Sequence, residues 1–405
     1  MSPGYDRAVK VLVVGSGGRE HALAWALACD GVELHAAPGN PGIAALASCH
    51  PVRAEDPASV VPLAAELEVD LVVVGPEAPL VIGLADALRR RGIPVFGPSA
   101  AAAQIEGSKA FAKDVMEAAG VPTARTLAVA RPPCVVKADG LAAGKGVWVC
   151  RDQAALDAAL RAAQALGQPF HVEELLEGPE LSVFAIAAGE HAIALPASRD
   201  FKRIGDGDTG LNTGGMGSYS PVADAPDVEE IVETIHRPVL RELVRRGTPF
   251  FGLLYAGLML TEQGPHVIEF NCRFGDPETQ SVLPLLEGGL LEALAATAAG
   301  ELRGIAAPAA VGAAVTVVVA SRDYPEHGES GTPIDGIDAA EKAGALVFHA
   351  GTALQDGRVV TNGGRILGVT GTGSSVAEAR TAAYAGVAHV DFAGMQFRTD
   401  IAADA

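Results

Sequence analysis

The sequence predicts an α/β protein, because apolar runs of strand length alternate with helical patterns along the first hundred of its 405 residues. Residues 11–14 and 71–74 are continuous apolar runs, and each is followed by a glycine-rich turn and a helical pattern. Unbroken apolar strands between helices are typical of a parallel sheet covered on both faces. We therefore expect an N-terminal parallel α/β domain at residues 1–105, with ligands at the carboxyl ends of its strands.

The first domain is expected to continue with a helix at 21–28, a helix near 83–91 and a third strand at 94–96. Residues 106–305 hold most of the clusters of polar residues, and we expect them to form the domain that carries the chemistry. Residues 306–405 predict a C-terminal α+β domain. Its expected elements are strands at 315–320 and 345–349, a hairpin of 358–361 with 366–370 around Asn362-Gly-Gly364, and a helix at 376–389.

The net charge, the cysteines and the apolar runs of the sequence limit the kinds of partner and environment that we expect for this protein. The net charge is −19, which disfavours nucleic acid and anionic membrane but allows a small phosphorylated ligand in a local pocket. The five cysteines include no C-x-x-C pair, so we expect a reducing, cytoplasmic environment and no zinc site. The longest apolar run, at about 305–320, contains Pro308 and Gly312 and falls short of a membrane span.

The turn Gly15-Ser-Gly-Gly-Arg-Glu-His21 follows a strand and precedes a helix, as a dinucleotide-binding fingerprint does. It departs from that fingerprint because Glu20 stands where the third glycine belongs. A nicotinamide-dependent oxidoreductase is therefore disfavoured, although the turn could hold an anion at the helix N-terminus. A tight turn without a ligand is the alternative.

A second glycine-rich run, Gly140-Leu-Ala-Ala-Gly-Lys-Gly146, is not a Walker A motif, since only three residues separate its first two glycines. It follows an apolar strand that ends in Lys137. A buried lysine needs an anionic partner, so this lysine and the glycine-rich run favour a phosphate-covering loop over an ordinary hairpin.

Two further segments predict a metal site and a polar loop. Glu269 and Asn271 are two residues apart on one strand, and their oxygens on one face suit Mg²⁺ together with substrate phosphates. Asp276, Glu278 and Arg273 follow at once, which a merely solvated strand would not require. Residues 199–217 mix both signs of charge with six glycines and predict a polar loop of fixed shape.

Taken together, these motifs resemble the glycinamide ribonucleotide synthetases, which are ATP-grasp enzymes of purine synthesis. The resemblance covers most of the chain. It is carried by Gly15-Ser-Gly-Gly-Arg-Glu-His21, Ala37-Pro-Gly-Asn40, Gly75-Pro-Glu-Ala-Pro79, Gly107-Ser-Lys109, residues 135–146, residues 208–217 and residues 267–280. It implies an ATP-grasp domain at 106–305 with a small lobe at about 122–178, flanked by the N- and C-terminal domains.

The resemblance also implies a reaction in which ATP, glycine and 5-phosphoribosylamine give glycinamide ribonucleotide, ADP and phosphate through a glycyl phosphate. It implies a Mg²⁺ or Mn²⁺ ion and a monomer. The residues implied to contact ATP are Lys109, Lys137, Gly144, Lys145, Glu173, Glu174, Leu176 and Glu180. Of these, the lysines meet the phosphates, Glu173 and Leu176 the adenine, and Glu180 the ribose.

The metal ligands implied are Glu269 and Asn271. The residues implied to hold glycine, phosphoribosylamine or the transferred phosphate are Arg273, Asp276, Asp200, Lys202, Arg203, Asp208 and Asn212. The ribose phosphate is expected at Gly17, Gly18, Arg19 and Glu20. Segments 127–133 and 151–170 are shorter than is usual in the family. Either these loops are trimmed in this variant, which predicts a reduced small lobe, or mobile segments are missing from the sequence.

Two other functions remain open at this point. Another ATP-grasp ligase or carboxylase would share the lysines and the metal ligands but not residues 208–217. A nucleotide-binding module without activity is disfavoured by the presence of Lys137, Glu269 and Asn271.

Overall fold

A computed structural model describes residues 7–140 and 146–405. The strands are β1 Val9–Gly15, β2 Val32–Pro38, β3 Ser48–Cys49, β4 Leu71–Val74, β5 Val95–Phe96, β6 Cys134–Ala138, β7 Val147–Cys150, β8 Phe170–Glu174, β9 Glu180–Ala188, β10 His191–Ala194, β11 Arg199–Asp200, β12 Arg203–Gly205, β13 Thr209–Asn212, β14 Gly217–Ser220, β15 Phe251–Thr261, β16 Gly264–Asn271, β17 Ala313–Ala320, β18 Glu329–Pro333, β19 Leu346–His349, β20 Thr352–Gln355, β21 Arg358–Gly363 and β22 Arg365–Gly373.

The α-helices are α1 Gly18–Leu27, α2 Pro57–Glu66, α3 Glu77–Val81, α4 Leu84–Arg90, α5 Gln104–Gly107, α6 Lys109–Ala119, α7 Gln153–Ala165, α8 Val228–Ile231, α9 Arg237–Arg245, α10 Glu278–Val282, α11 Leu290–Ala299, α12 Ile337–Lys342 and α13 Val376–Val387. Two short 3₁₀ helices, Ile43–Ala45 and Leu283–Leu285, and a π-helical turn, Val232–His236, complete the helical elements.

The N-terminal sheet is parallel and has the strand order β3-β2-β1-β4-β5. The chain moves outward from β1 in both directions, so the sheet has a topological switch point between β1 and β4. A crevice forms at the carboxyl ends of the strands at such a point. The turn before α1 and the turn between β4 and α3 both lie there, as the sequence predicts.

The central part of the chain forms two antiparallel sheets. The larger has the order β10-β9-β15-β16, and the smaller has the order β7-β6-β8 with α7 packed against it. The smaller sheet has its own core, which includes Cys134, Val136, Cys150 and Leu156. The small lobe therefore has a sheet and a helix despite its two short connections.

The C-terminal sheet is not built from C-terminal residues alone. Its order is β11-β14-β17-β22-β19, so two strands from residues 199–220 extend a sheet whose other strands follow residue 312. The strand β14 pairs with β17 in antiparallel register, with Ser218 opposite Thr316. The polar segment 199–217 is thereby fixed to the C-terminal part of the molecule.

The expected hairpin of residues 358–370 is wrong. Its two strands exist, but β21 pairs with β18 and β20, whereas β22 pairs with β17 and β19. Gly364 lies between them, where a side chain would collide with the Tyr324 ring at 2.3 Å. The actual hairpin joins β20 to β21 through Asp356 and Gly357, which both have positive φ. Such an Asp-Gly pair is itself a strong hairpin signal.

Candidate active site

A cleft of about 630 Å³ lies between the N-terminal sheet, the two central sheets and the C-terminal part of the chain. Eleven of the residues singled out from the sequence line it: Arg19, Lys109, Lys137, Glu173, Asp200, Lys202, Asn212, Glu269, Asn271, Arg273 and Asp276. The sequence thus identifies residues from six separate segments that the fold brings to one place.

Two lysines of the cleft are held by backbone and carboxylate oxygens. Lys109 begins α6 after the cap residue Ser108, and its ammonium donates to the Gly140 carbonyl at 3.1 Å. Burial lowers the pKa of Lys109, although the nearby Glu269 and Asp139 oppose that effect. Lys137, on β6, donates to the Ile268 carbonyl at 2.9 Å. Both ammonium groups therefore face the same cleft, that of Lys109 from α6 and that of Lys137 from β6.

Glu173 is the central anion of this side of the cleft. Its carboxylate oxygens lie 2.7 Å from the ammonium of Lys113 and 2.7 Å from that of Lys137. Burial would raise the pKa of Glu173, but the His171 hydrogen bond and the two lysine charges outweigh burial and hold that pKa below its usual range. This carboxylate is thus engaged with the two cations, and its expected contact with adenine stays a prediction.

Lys113 is a site residue that the sequence analysis missed. It is only 8% exposed, and besides Glu173 it contacts the Thr123 hydroxyl at 3.1 Å and the Ala124 carbonyl. Its spacing of four residues from Lys109 places both lysines on one face of α6. That spacing was the available signal.

Glu269 and Asn271 lie near the end of β16 and both line the cleft, with Glu269 exposed and Asn271 buried. The Asn271 side-chain oxygen accepts from Arg273 at 3.2 Å. No group of three or more His, Cys, Asp or Glu in the described part of the chain could hold a metal by itself. Two oxygen donors beside lysines fit a Mg²⁺ ion that completes its coordination with phosphates and water.

Arg273 connects this strand to the N-terminal sheet. Its guanidinium donates to Glu77 at 3.1 Å and to Glu106 at 2.9 Å. Burial would lower the pKa of Arg273, but these two carboxylates outweigh burial and raise it. In turn, Arg273 and Arg19 overcome burial at Glu77 and lower its pKa to about 2. Neither glutamate was expected in the site from the sequence, although Glu77 lies within the motif Gly75-Pro-Glu-Ala-Pro79 and Glu106 adjoins Gly107-Ser-Lys109.

The polar segment 199–217 presents alternate residues to the cleft. The Lys202 ammonium lies 3.1 Å from Asp200 and 2.5 Å from Glu180. Burial raises the pKa of Asp200 to about 7, with Lys202 opposing and Glu278 reinforcing the shift. A carboxyl group of this kind can exchange a proton near neutral pH.

Asp276 is held from the C-terminal side. Arg365 lies 3.4 Å from its carboxylate, and Gln280 donates to that carboxylate at 2.9 Å. Burial would raise the pKa of Asp276, but Arg365 and Arg19 outweigh it, so that pKa is lowered. Arg365 also donates to the Gly214 carbonyl at 2.6 Å and was not among the residues expected from the sequence.

The first turn of α1 contributes the Arg19 side chain to the cleft. Arg19 lines it and donates to the Phe274 carbonyl at 3.1 Å. Glu20 instead caps its own helix: it accepts from the Gly17 amide and from Arg19, both at 2.5 Å. A side chain at Gly75 would lie 2.1 Å from the Glu20 carboxylate, which explains the glycine there.

The remaining predicted residues lie elsewhere. Glu174 pairs with Arg125 at 2.7 Å, and Glu180 reaches the site only through Lys202. Asp208 pairs with Arg398 at 2.7 Å, and Arg203 donates to the Gly210 carbonyl at 2.8 Å. Within the described ranges, the residues that do not line the cleft are Gly17, Gly18, Glu20, Glu174, Leu176, Glu180, Arg203 and Asp208. Gly144 and Lys145 lie outside the described residues.

Comparison with known proteins identifies this arrangement. Family models named Phosphoribosylglycinamide synthetase match the N domain at residues 9–106, the ATP-grasp (A) domain at 107–279 and the C domain at 314–404. The Phosphoribosylamine–glycine ligase of Streptomyces coelicolor is 52% identical over 98% of this chain and 99% of its own. The chain belongs to the phosphoribosylamine–glycine ligase family.

Other ligases of this family agree. The Mycobacterium tuberculosis enzyme is 47% identical over 97% of both chains. The crystal structure of the Thermotoga maritima ligase is 36% identical and superposes with a TM-score of 0.84 over 97% of this chain and all of that one. The chain is thus an ADP-forming carbon–nitrogen ligase with the three-domain ATP-grasp architecture.

The fold extends beyond the ligase family. The biotin carboxylase domain of 2-oxoglutarate carboxylase from Hydrogenobacter thermophilus, at 18% identity, has a TM-score of 0.70 over 97% of this chain. At that identity the likeness concerns the fold alone. No helix in the described ranges 7–140 and 146–405 is both long and apolar enough to cross a bilayer.

Proposed function

We propose that this chain joins glycine to 5-phosphoribosylamine through a glycyl phosphate, using ATP and a divalent cation. The observation that carries the proposal is that one cleft gathers Lys109 and Lys137, the oxygen donors Glu269 and Asn271, the arginines Arg19 and Arg273, and the Asp200 carboxyl, whose pKa burial raises to about 7. The family membership supports it. The proposal includes a division of the chain into three domains, at residues 1–105, 106–305 and 306–405.

In the first step, a carboxylate oxygen of glycine attacks the γ-phosphorus of ATP, and ADP leaves. Lys109 and Lys137 would offset the charge on the phosphates, because their ammonium groups share the cleft with Glu269 and Asn271. These two oxygen donors would hold Mg²⁺ or Mn²⁺, which supplies Lewis-acid stabilisation of the transferred phosphoryl group. The MgADP complex of the carboxylase domain named above is consistent with such a site.

In the second step, the amine of phosphoribosylamine attacks the carbonyl carbon of the glycyl phosphate, phosphate leaves and the new amide nitrogen loses a proton. Asp200 would accept that proton; its side chain is almost fully buried and lines the cleft, and burial raises its pKa to about 7, which supports this role. Arg273 and Arg19 would bind the leaving phosphate or the ribose phosphate at the strand ends of the N-terminal sheet. The described residues of one chain supply all these groups, so the proposal includes a monomer.

The experiment measures ADP release with Mg-ATP, glycine and phosphoribosylamine generated in situ, omitting each component in turn. Release that requires all three, with glycinamide ribonucleotide as product, supports the proposal. Hydroxylamine added with ATP and glycine should trap the acyl phosphate as glycine hydroxamate. Failure to form the product would overturn the proposal, and ADP release with bicarbonate in place of glycine would favour a carboxylase.

A further inference from the structure

The polar segment 199–217 has a front face toward the cleft and a back face toward the C-terminal end of the chain. Asp200 and Lys202 line the cleft, whereas Phe201 between them packs away from it. The Arg398 guanidinium lies over the Phe201 ring at 5.0 Å. The residues that carry the proposed chemistry are thus supported from behind by a residue near the end of the chain.

Arg398 is buried, with 2% of its surface exposed, although it carries a charge. It forms a two-pronged ion pair with Asp400, with contacts of 2.7 and 2.6 Å. Its remaining nitrogen donates to the Asp208 carboxylate at 2.7 Å and to the Arg203 carbonyl at 3.2 Å. Arg203 lies on β12 and Asp208 in the turn that joins β12 to β13, so one guanidinium joins residue 398 to the first strand and the turn of that hairpin.

The neighbours of Arg398 reinforce the same connection. The Thr399 amide and hydroxyl donate to the Asp206 carboxylate at 2.8 and 2.5 Å. The Gly207 amide donates to Asp400 at 2.8 Å. Hydrogen bonding from Arg398 lowers the pKa of Asp400 to about 2, so this acceptor remains charged at neutral pH. These contacts all lie at the turn of the hairpin. After this turn the chain forms β13, which ends at Asn212 in the cleft.

We propose that residues 398–400 act as a C-terminal latch, with Arg398 as a positioning residue that fixes segment 199–217 for the glycine and phosphoribosylamine step. The latch rests on the proposed roles of Asp200, Lys202 and Asn212. Among the described residues, 398–400 contact none that are assigned to ATP, and the segment meets one of them through the Lys202–Glu180 pair. Loss of the latch should therefore affect the two acceptor substrates much more than nucleotide binding. Because a planar guanidinium fork makes these contacts, lysine cannot replace it.

The test compares Arg398→Met and Arg398→Lys with a matched control, Arg380→Met. Arg380 also lies over an aromatic ring, Tyr384 at 4.7 Å, and donates to the Ile401 and Thr399 carbonyls. It holds the same chain end against α13. The control therefore loosens the C-terminal residues without removing a contact to segment 199–217.

Both Arg398 variants should lower kcat about 10- to 100-fold, or raise KM for glycine and phosphoribosylamine comparably, with KM for ATP within about twofold of wild type. Asp206→Asn, an exposed change, should produce a smaller shift in the same direction and serves if Arg398→Met does not fold. Unchanged kinetics in Arg398→Met, full activity in Arg398→Lys, equal effects on all three substrates, or the same effects in Arg380→Met would each overturn the latch.

A readout without activity separates the latch from the proposed function. Hydrogen exchange of the substrate-free protein should be faster in the amides of residues 199–217 for Arg398→Met, and unchanged there for Arg380→Met. If exchange responds in this way but wild type makes no glycinamide ribonucleotide, the proposed function fails and the mechanical part of the latch stands. If exchange does not respond, the latch fails whatever the product.

Discussion

Glu173 illustrates how the structure gives a residue contacts that its motif does not specify. Its motif predicts contact with a nucleotide base, but its carboxylate lies between the ammonium groups of Lys113 and Lys137. A buried carboxylate with two cationic partners is stable in its charged form, and it fixes the direction of both lysines. We therefore expect Glu173 to influence phosphate binding by orienting Lys137.

Lys113→Met should destabilise the protein by about 3 kcal/mol, because it removes one partner of a buried charge. Urea unfolding measures the loss. Lys113→Met combined with Glu173→Gln should lose less than the sum of the two single variants, since each single variant already removes the contact between the two groups. Additive losses would show that the two groups are not energetically coupled.

Glu269→Ala should abolish ligation while leaving the unfolding temperature unchanged, because Glu269 is exposed and its expected contact is a metal ion rather than the core. Steady-state ADP release and a thermal melt measure the two effects. Glu262→Ala, an exposed acid in the turn of the same hairpin, is the matched control and should retain activity. Normal turnover in Glu269→Ala would remove it from the metal site.

At the scale of elements, the sequence predicts what local patterns encode. The apolar runs of β1 and β4, the helix after each turn and the strand that carries Lys137 all occur where the patterns indicate. Partner choice is the part that local patterns do not encode. β21 and β22 are adjacent in sequence but join different sheets, since each finds its partners among strands distant along the chain.

His236 makes the π-helical turn of residues 232–236 sensitive to acid. Its ring is fully buried and meets the Phe270 ring edge-on at 6.3 Å. Burial lowers the pKa of His236 to about 4 from its ordinary value of 6.5. The unfolded chain therefore binds a proton that the folded one rejects, so this contribution to stability is present above pH 6.5 and is lost as the pH falls toward 4.

The free energy of unfolding of wild type relative to His236→Met should therefore fall by about 1 kcal/mol between pH 7 and pH 5.5. Urea unfolding at the two pH values measures the difference. His191→Met, at an exposed position on β10, is the control and should follow wild type at both. A pH-independent difference for His236→Met would mean that the folded and unfolded chains bind this proton equally, so that burial does not lower the pKa of His236.

At the scale of the whole molecule, ion pairs between distant segments assemble the site. Arg273 follows β16 but takes its partners Glu77 and Glu106 from the N-terminal part of the chain. Motifs such as these identify the cleft's residues from the sequence. The sequence does not show which residues of a motif line the cleft. Asp200 lines it and Asp208 does not, although both are aspartates in the same polar segment. Asp208 lies in the turn between β12 and β13 and pairs with Arg398 instead.

The mixed origin of the C-terminal sheet has a consequence for how such enzymes can recombine. The strands β14 and β17 are paired neighbours in one sheet but lie far apart in the sequence. In a hybrid of two ligases, residues 199–220 and the residues beyond 312 must therefore come from the same ligase. A chimaera of two ligases joined near residue 305 should express poorly, and moving 199–220 together with the C-terminal piece should restore soluble protein. Equal yields from both designs would mean that the shared strand pairing tolerates foreign partners.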